Sequence, residues 1–153
     1  MNTLEARIPP LIILVFVAGA MWLGTRAAPA AAFHVPVRRI TALCLTTLGL
    51  GIALAGVASF RRARTTVSPL KPETASTLVT SGVYRLTRNP MYLGVLVIVV
   101  GWAVFLANAV AFLIAPAFVL YMNRFQIGPE EKALAARFGS EFAAYQSRVR
   151  RWL

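Results

Sequence analysis

Between Arg88 and Arg124 the chain carries no charged side chain over 35 consecutive residues, 89–123. A bilayer interior demands such a stretch, because a charge at mid-membrane costs about 2.5 kcal/mol or more. The run is longer than the roughly 20 residues of one crossing and shorter than two comfortable ones, so it predicts two short helices over residues 91–107 and 109–123, turning near Asn108. Pro116 in the second arm predicts a kink. Two more uncharged runs precede it. Residues 8–24 open on Pro9 and Pro10, which suit a first helical turn because their missing donors would be unpaired there anyway. Residues 40–60 give 21 uncharged positions between Arg39 and Arg61, about 31 Å of helix and a match to the hydrocarbon thickness. A cleavable signal is the alternative for residues 8–24, but the run is long for a signal core and further spans follow. The expected fold is all-α, a single polytopic membrane domain of about four spans.

Composition agrees: 58% of the 153 residues are hydrophobic and 14% charged, which leaves no room for a separate soluble catalytic domain. The net charge of +11 would suggest nucleic acid in a soluble protein. Here the basic residues gather at the ends of apolar runs, as expected where loops meet anionic headgroups, so no nucleic-acid partner is expected. With four spans, 13 Lys and Arg fall on the side of the termini and the middle segment, against three on the other. The positive-inside rule then places both termini in the cytoplasm, the membrane being of the bacterial inner type. Gly49, Gly51, Ala53, Ala55 and Gly56 bring small residues to the second span at spacings that let helix backbones approach closely. Cys44 alone cannot form an internal disulfide or a multi-cysteine metal site and reads as an inert buried thiol, while His34, in the short outer loop, gets no role.

Chemistry is confined to two segments that share the cytoplasmic face, 82–94 and 128–153. The first runs Gly82-Val83-Tyr84-Arg85-Leu86-Thr87-Arg88-Asn89-Pro90-Met91-Tyr92-Leu93-Gly94. Pro90 sets a helix start with free amides before it, Tyr92 offers a ring face, and Gly94 permits close approach. Membrane anchoring accounts for the same arginines and tyrosines without any ligand. The second segment starts Gly128-Pro129-Glu130-Glu131, with acids at the positive end of a helix dipole, and a short helix there should break at Gly139. Beyond it Phe142, Tyr145, Val149 and Trp152 recur at helical spacing among Arg148, Arg150 and Arg151, predicting a segment that lies on the membrane surface.

Together these motifs, from Gly82 to the C-terminus, resemble the isoprenylcysteine carboxyl methyltransferases and their phospholipid methyltransferase relatives, integral-membrane enzymes that use S-adenosylmethionine. The resemblance implies a cofactor site at the cytoplasmic face, with Arg88, Asn89, Pro90, Tyr92 and Gly94 bordering the cofactor and Glu130 and Glu131 near its charged end. The family usually carries histidine where this chain has Asn89, which can exchange hydrogen bonds but cannot transfer a proton as an imidazole does. Phe142 also stands where a tyrosine is common.

The implied reaction is in-line methyl transfer, S-adenosylhomocysteine leaving, with positioning as the main source of rate. Arg85 and Arg148 are candidates for orienting an anionic acceptor. Short helices around such a site admit a lipophilic acceptor from the surrounding membrane lipids. The acceptor could be an isoprenylcysteine-like carboxylate, a phospholipid amine or another hydrophobic small molecule, and the residues do not choose among them. Two other classes remain open on sequence alone: a membrane reductase, against which stands the lack of a glycine-rich dinucleotide motif, and a non-enzymatic scaffold or transporter subunit, consistent with the small-residue face of the second span.

Overall fold

The computed structural model describes residues 9–63 and 77–153. Glu5, Arg7, Ile8, Arg64, Lys71 and Glu73, which enter the charge count or the first predicted span, lie outside that set. Five helices succeed one another in chain order: α1 (Pro10–Ala27), α2 (Arg38–Arg62), α3 (Pro90–Leu106), α4 (Ala109–Tyr121) and α5 (Gly128–Arg148). A short 3-10 turn, Gly82–Arg85, precedes α3, and a π turn, Met122–Ile127, joins α4 to α5. The chain is all-helical among the described residues.

Three stretches are long and apolar enough to cross a membrane: Pro10–Ala27, Arg38–Arg62 and the continuous run Ala109–Arg148. The apolar helix Pro90–Leu106 has 17 residues and falls short of that length, spanning about 25 Å at 1.5 Å per residue. Charge returns only after Asn123, at Arg124, Glu130, Glu131 and Lys132, so the apolar part of the last run is α4 and the part beyond it is polar.

α3 is the central element, in contact with α2, α1 and α4. Lipid provides no hydrophobic drive between helices, so close backbone approach and interhelical hydrogen bonds must do more of the binding. The α2–α3 seam is built that way. A Cβ added to Gly49 would lie 2.5 Å from the carbonyl oxygen of Gly94, and one added to Gly94 would meet the backbone of Gly49 and, at 2.8 Å, the amide nitrogen of Ala53. Gly56 faces Pro90 and Met91 at one end of the seam, and Gly101 faces Ala42 and Thr46 at the other, so the two helices run antiparallel. Gly51 has open space around it and Ala55 is exposed; only the Gly49, Ala53 and Gly56 side of the small-residue set is packed on α3. Cys44, expected to be buried, is exposed, because it sits on the face of α2 turned away from this seam.

The turn at Asn108 forms as predicted. Ala107 takes a left-handed conformation (φ 50°) that ends α3, and the buried Asn108 caps α4, its Oδ1 accepting from the Val110 amide at 2.9 Å. Its Nδ2 donates to the Ala28 carbonyl at 2.9 Å, and the Phe33 amide donates to the Ala107 carbonyl at 2.9 Å. The loop after α1 is thereby fastened to the hairpin tip. Trp102 Nε1 adds a lateral tie to the Ala18 carbonyl at 3.1 Å. α4 continues through Pro116, and the departure from regular α-geometry comes later, at Met122–Ile127. A π turn inserts one residue and rotates the helix downstream of it by about 100°, which re-aims α5 relative to α4.

Substituting Gly94→Ala should lower stability by about 1–3 kcal/mol, because the colliding atoms are backbone and cannot swing aside. Gly51→Ala should be neutral or slightly stabilising. Thermal unfolding of the detergent-solubilised variants reads both, and equal midpoints for the two would show that the seam is not close-packed.

Candidate active site

The site is assembled where the entry to α3 meets the chain's last residues. Thr87, Arg88 and Asn89 are three consecutive residues ahead of Pro90, in non-helical backbone whose polar groups need partners. They find them on residues 146–151. The Arg88 amide donates to the Arg150 carbonyl at 2.9 Å, while Thr87 Oγ1 and Asn89 Nδ2 both donate to the Arg151 carbonyl, at 3.1 and 3.0 Å. The Asn89 amide donates in turn to Thr87 Oγ1 at 3.1 Å. The Arg88 guanidinium uses Nη1 on the carbonyls of Gln146 (3.1 Å) and Val149 (2.7 Å), and turns Nε and Nη2 to Glu131 Oε1, at 3.2 and 2.9 Å.

Glu131 also receives Arg151, whose Nη2 donates to Oε2 and whose Nε lies 3.2 Å from Oε1. One carboxylate thus serves two guanidiniums, and the cluster keeps a net positive charge. Glu130, its neighbour, has no basic partner among the described residues and accepts one hydrogen bond, from the Tyr92 hydroxyl at 3.1 Å. Burial raises the Glu130 carboxyl, and the negative Glu131 adds to the rise while the Tyr92 hydrogen bond opposes it, for a value of about 7. Tyr145 donates to the Tyr84 carbonyl at 2.7 Å, and burial lifts its phenol to about 12 against the pull of Arg88.

Between these groups lies a cavity of about 60 Å³, room for a few water molecules. Phe60, Tyr84, Tyr92, Phe142 and Tyr145 supply aromatic wall, and Arg88, Asn89, Glu130 and Glu131 the polar groups. A carboxylate among aromatic faces suits an organic cation, and the Arg88–Glu131–Arg151 cluster beside it suits an anion. In charge pattern, though not in volume, the surroundings of the cavity match a zwitterion that carries an additional positive charge.

The family model for phospholipid methyltransferase matches residues 37–141, more than half the chain. The chain belongs to this family. A probable protein-S-isoprenylcysteine O-methyltransferase of Oryza sativa is 36% identical over 110 residues, covering 70% of this chain and 56% of the rice protein. Protein-S-isoprenylcysteine O-methyltransferase B of Arabidopsis thaliana is 33% identical over 110 residues, 70% of this chain and 54% of that protein. An uncharacterized protein of Haemophilus influenzae is 44% identical over 63 residues, 41% of this chain and all of that protein. The chain spans a little over half the length of the plant relatives. No solved structure matches it.

Within this phospholipid methyltransferase fold, the residues expected at the cofactor divide into two sets. Arg88, Asn89, Tyr92, Glu130 and Glu131 line the cavity, whereas Pro90 packs on Gly56 and Gly94 on Gly49 and Ala53, in the α2–α3 seam. Arg85 and Arg148 do not line it either; they meet in a separate cleft with Thr80, Tyr145 and Val149. The segment expected on the membrane surface is turned inward instead. α5 breaks at Gly139 as predicted (φ 48°, ψ −119°), resumes to Arg148, and buries Phe142 and Tyr145 against the cavity. The apolar stripe is real, but its partners are Tyr84 and the entry to α3 rather than lipid. Trp152 donates from Nε1 to Asn123 Oδ1 at 3.1 Å. Sequence reasoning assigned no site role to Phe60, Tyr84 or Arg151. The one signal for Arg151 was a surplus of arginines facing two adjacent acids.

Glu131→Gln should weaken the fold as well as any ligand site, since it leaves two half-buried guanidiniums without their shared carboxylate, a loss of about 2–4 kcal/mol. Hydrogen exchange should speed up at the amides of Val149 and Tyr84 more than in α2. Unchanged exchange at residues 149–151 would mean that the cluster does not hold the C-terminal segment.

Proposed function

We propose that the chain is an integral-membrane methyltransferase that uses S-adenosylmethionine and a lipophilic acceptor. The observation that carries this reading is Glu130: a carboxylate with no basic partner among the described residues, bonded to Tyr92 and walled by aromatic rings, next to a cluster of opposite net charge. The family and the plant O-methyltransferase relatives supply the reaction class.

In this reading Glu130 and the face of Tyr92 hold the cationic part of the cofactor, and Arg88 and Arg151, sharing Glu131, hold its carboxylate. S-adenosylmethionine, when bound, supplies a methyl group activated on a positively charged sulfur. The protein's residues bind, align and keep water away, and no side chain acts as a nucleophile. Asn89 is a positioning residue whose amide is committed to the Arg151 carbonyl, so proton transfer is not its task. The cavity as it stands is too small for a nucleoside, and entry requires α5 to draw back from the entry to α3. Four crossings, α3 among them, put the site at the cytoplasmic face with both termini, where a soluble cofactor arrives from water and the acceptor from the bilayer.

Calorimetric titration of the solubilised protein with S-adenosylmethionine and S-adenosylhomocysteine, with a nicotinamide dinucleotide as control, tests this. Glu130 ionises near pH 7, and only the ionised form attracts a cation. Affinity for S-adenosylmethionine should therefore rise about tenfold from about pH 6 to about pH 8, and that for the uncharged-sulfur product less steeply. Glu130→Gln should abolish the difference between the two slopes. Folded protein that binds neither ligand, or binds the dinucleotide instead, would sink the reading.

A further inference from the structure

The cleft that collects Arg85 and Arg148 has about 280 Å³ of space and is bounded by Thr80, Tyr145 and Val149. Arg85 ends the 3-10 turn before α3 and Arg148 ends α5, so two elements far apart in sequence each deliver an exposed guanidinium to one hollow. Among the described residues no carboxylate lines it. The contrast with the neighbouring site is direct: there two arginines share Glu131, whereas Arg85 makes no ion pair among the described residues and Arg148 only returns Nε to the Ala144 carbonyl of its own helix, at 3.1 Å. Two like charges facing one cleft repel, and an anion between them removes that repulsion while accepting from both forks. Thr80 adds a hydroxyl at the rim.

The surroundings indicate where such an anion comes from. Val83, on the turn that carries Arg85, lines an open groove together with Leu48, Gly51, Ile52 and Ala55 of the outer, apolar face of α2, and the residue after Arg85, Leu86, is 69% exposed. Charged and apolar groups on one turn at the end of a membrane helix mark the headgroup level, with hydrocarbon running down α2. We infer that the Arg85–Arg148 cleft holds the phosphate of an anionic membrane lipid. The site is separated from the Glu130 cavity by the ring of Tyr145, which lines both. It stands whether or not the methyl-transfer reading does.

The test uses the full chain in non-ionic detergent and three probes: a water-soluble short-chain phosphatidylglycerol, the matching phosphatidylcholine, and inorganic phosphate. Phosphatidylglycerol should bind saturably, and Arg85→Gln and Arg148→Gln should each weaken it about tenfold. The doubly substituted control Arg61→Gln, Arg62→Gln, which removes exposed charges at the end of α2, should change it by no more than about twofold. Phosphatidylcholine should bind much more weakly. Arg85→Gln removes a side chain without a structural partner among the described residues, so its unfolding midpoint should equal that of the wild type. Unchanged lipid binding in that folded variant would overturn the inference. So would an equal loss in the Arg61, Arg62 control, which would show general surface attraction. Inorganic phosphate binding as tightly as the lipid would overturn the lipid as its source.

Discussion

The Arg88 side chain is the interaction on which the site depends. Its guanidinium reaches Glu131 at the start of α5 and the carbonyls of Gln146 and Val149 at the end of α5, while its own amide holds the Arg150 carbonyl. One residue thus ties three chain segments into a ring around the cavity. A lysine could not replace it, because a single ammonium cannot present donors in two directions at this spacing. The cost of drawing that charge out of water is met by hydrogen bonds from Nε, Nη1 and Nη2 alike, as a half-buried ion requires.

Glu130 and Glu131 show how adjacent residues of one type acquire different chemistry from their surroundings. Glu131 is saturated by arginines and is a fastening. Glu130 is left to a phenol and to burial, which lifts its carboxyl until it ionises near physiological pH. The site therefore has an anionic and a cationic half without a metal or nucleophile being invoked. The α2–α3 glycine seam serves it at a distance: by letting the two backbones touch at Gly49 and Gly94, it fixes where Phe60 and Tyr92 stand on either side of the cavity.

Much of this was legible in the residues. Charge-free runs located the helices to within a few positions, Asn108 marked the hairpin turn, and Gly139 marked the break in α5. Those features are local, and local rules decide them. The orientation of the segment after Gly139 was not legible, because an apolar stripe among arginines has the same pattern whether it faces lipid or protein; the Tyr145–Tyr84 bond and the Arg88 fan decide it through contacts between residues 61 positions apart. The same holds for Gly94, where small size signals close approach without naming the partner, and for Cys44, whose outward face depends on which side of α2 meets α3. The π turn left no sequence mark, and it sets the direction of α5.

Ultraviolet crosslinking of methyl-labelled S-adenosylmethionine to the membrane-embedded protein, with the labelled peptides mapped by mass spectrometry, tests the Glu130 site most directly. Label is expected on the aromatic residues around Glu130, at Tyr84, Tyr92, Phe142 or Tyr145, competed away by S-adenosylhomocysteine. Competable label confined to other parts of the chain, or none in folded protein, would contradict the placement of the cofactor there.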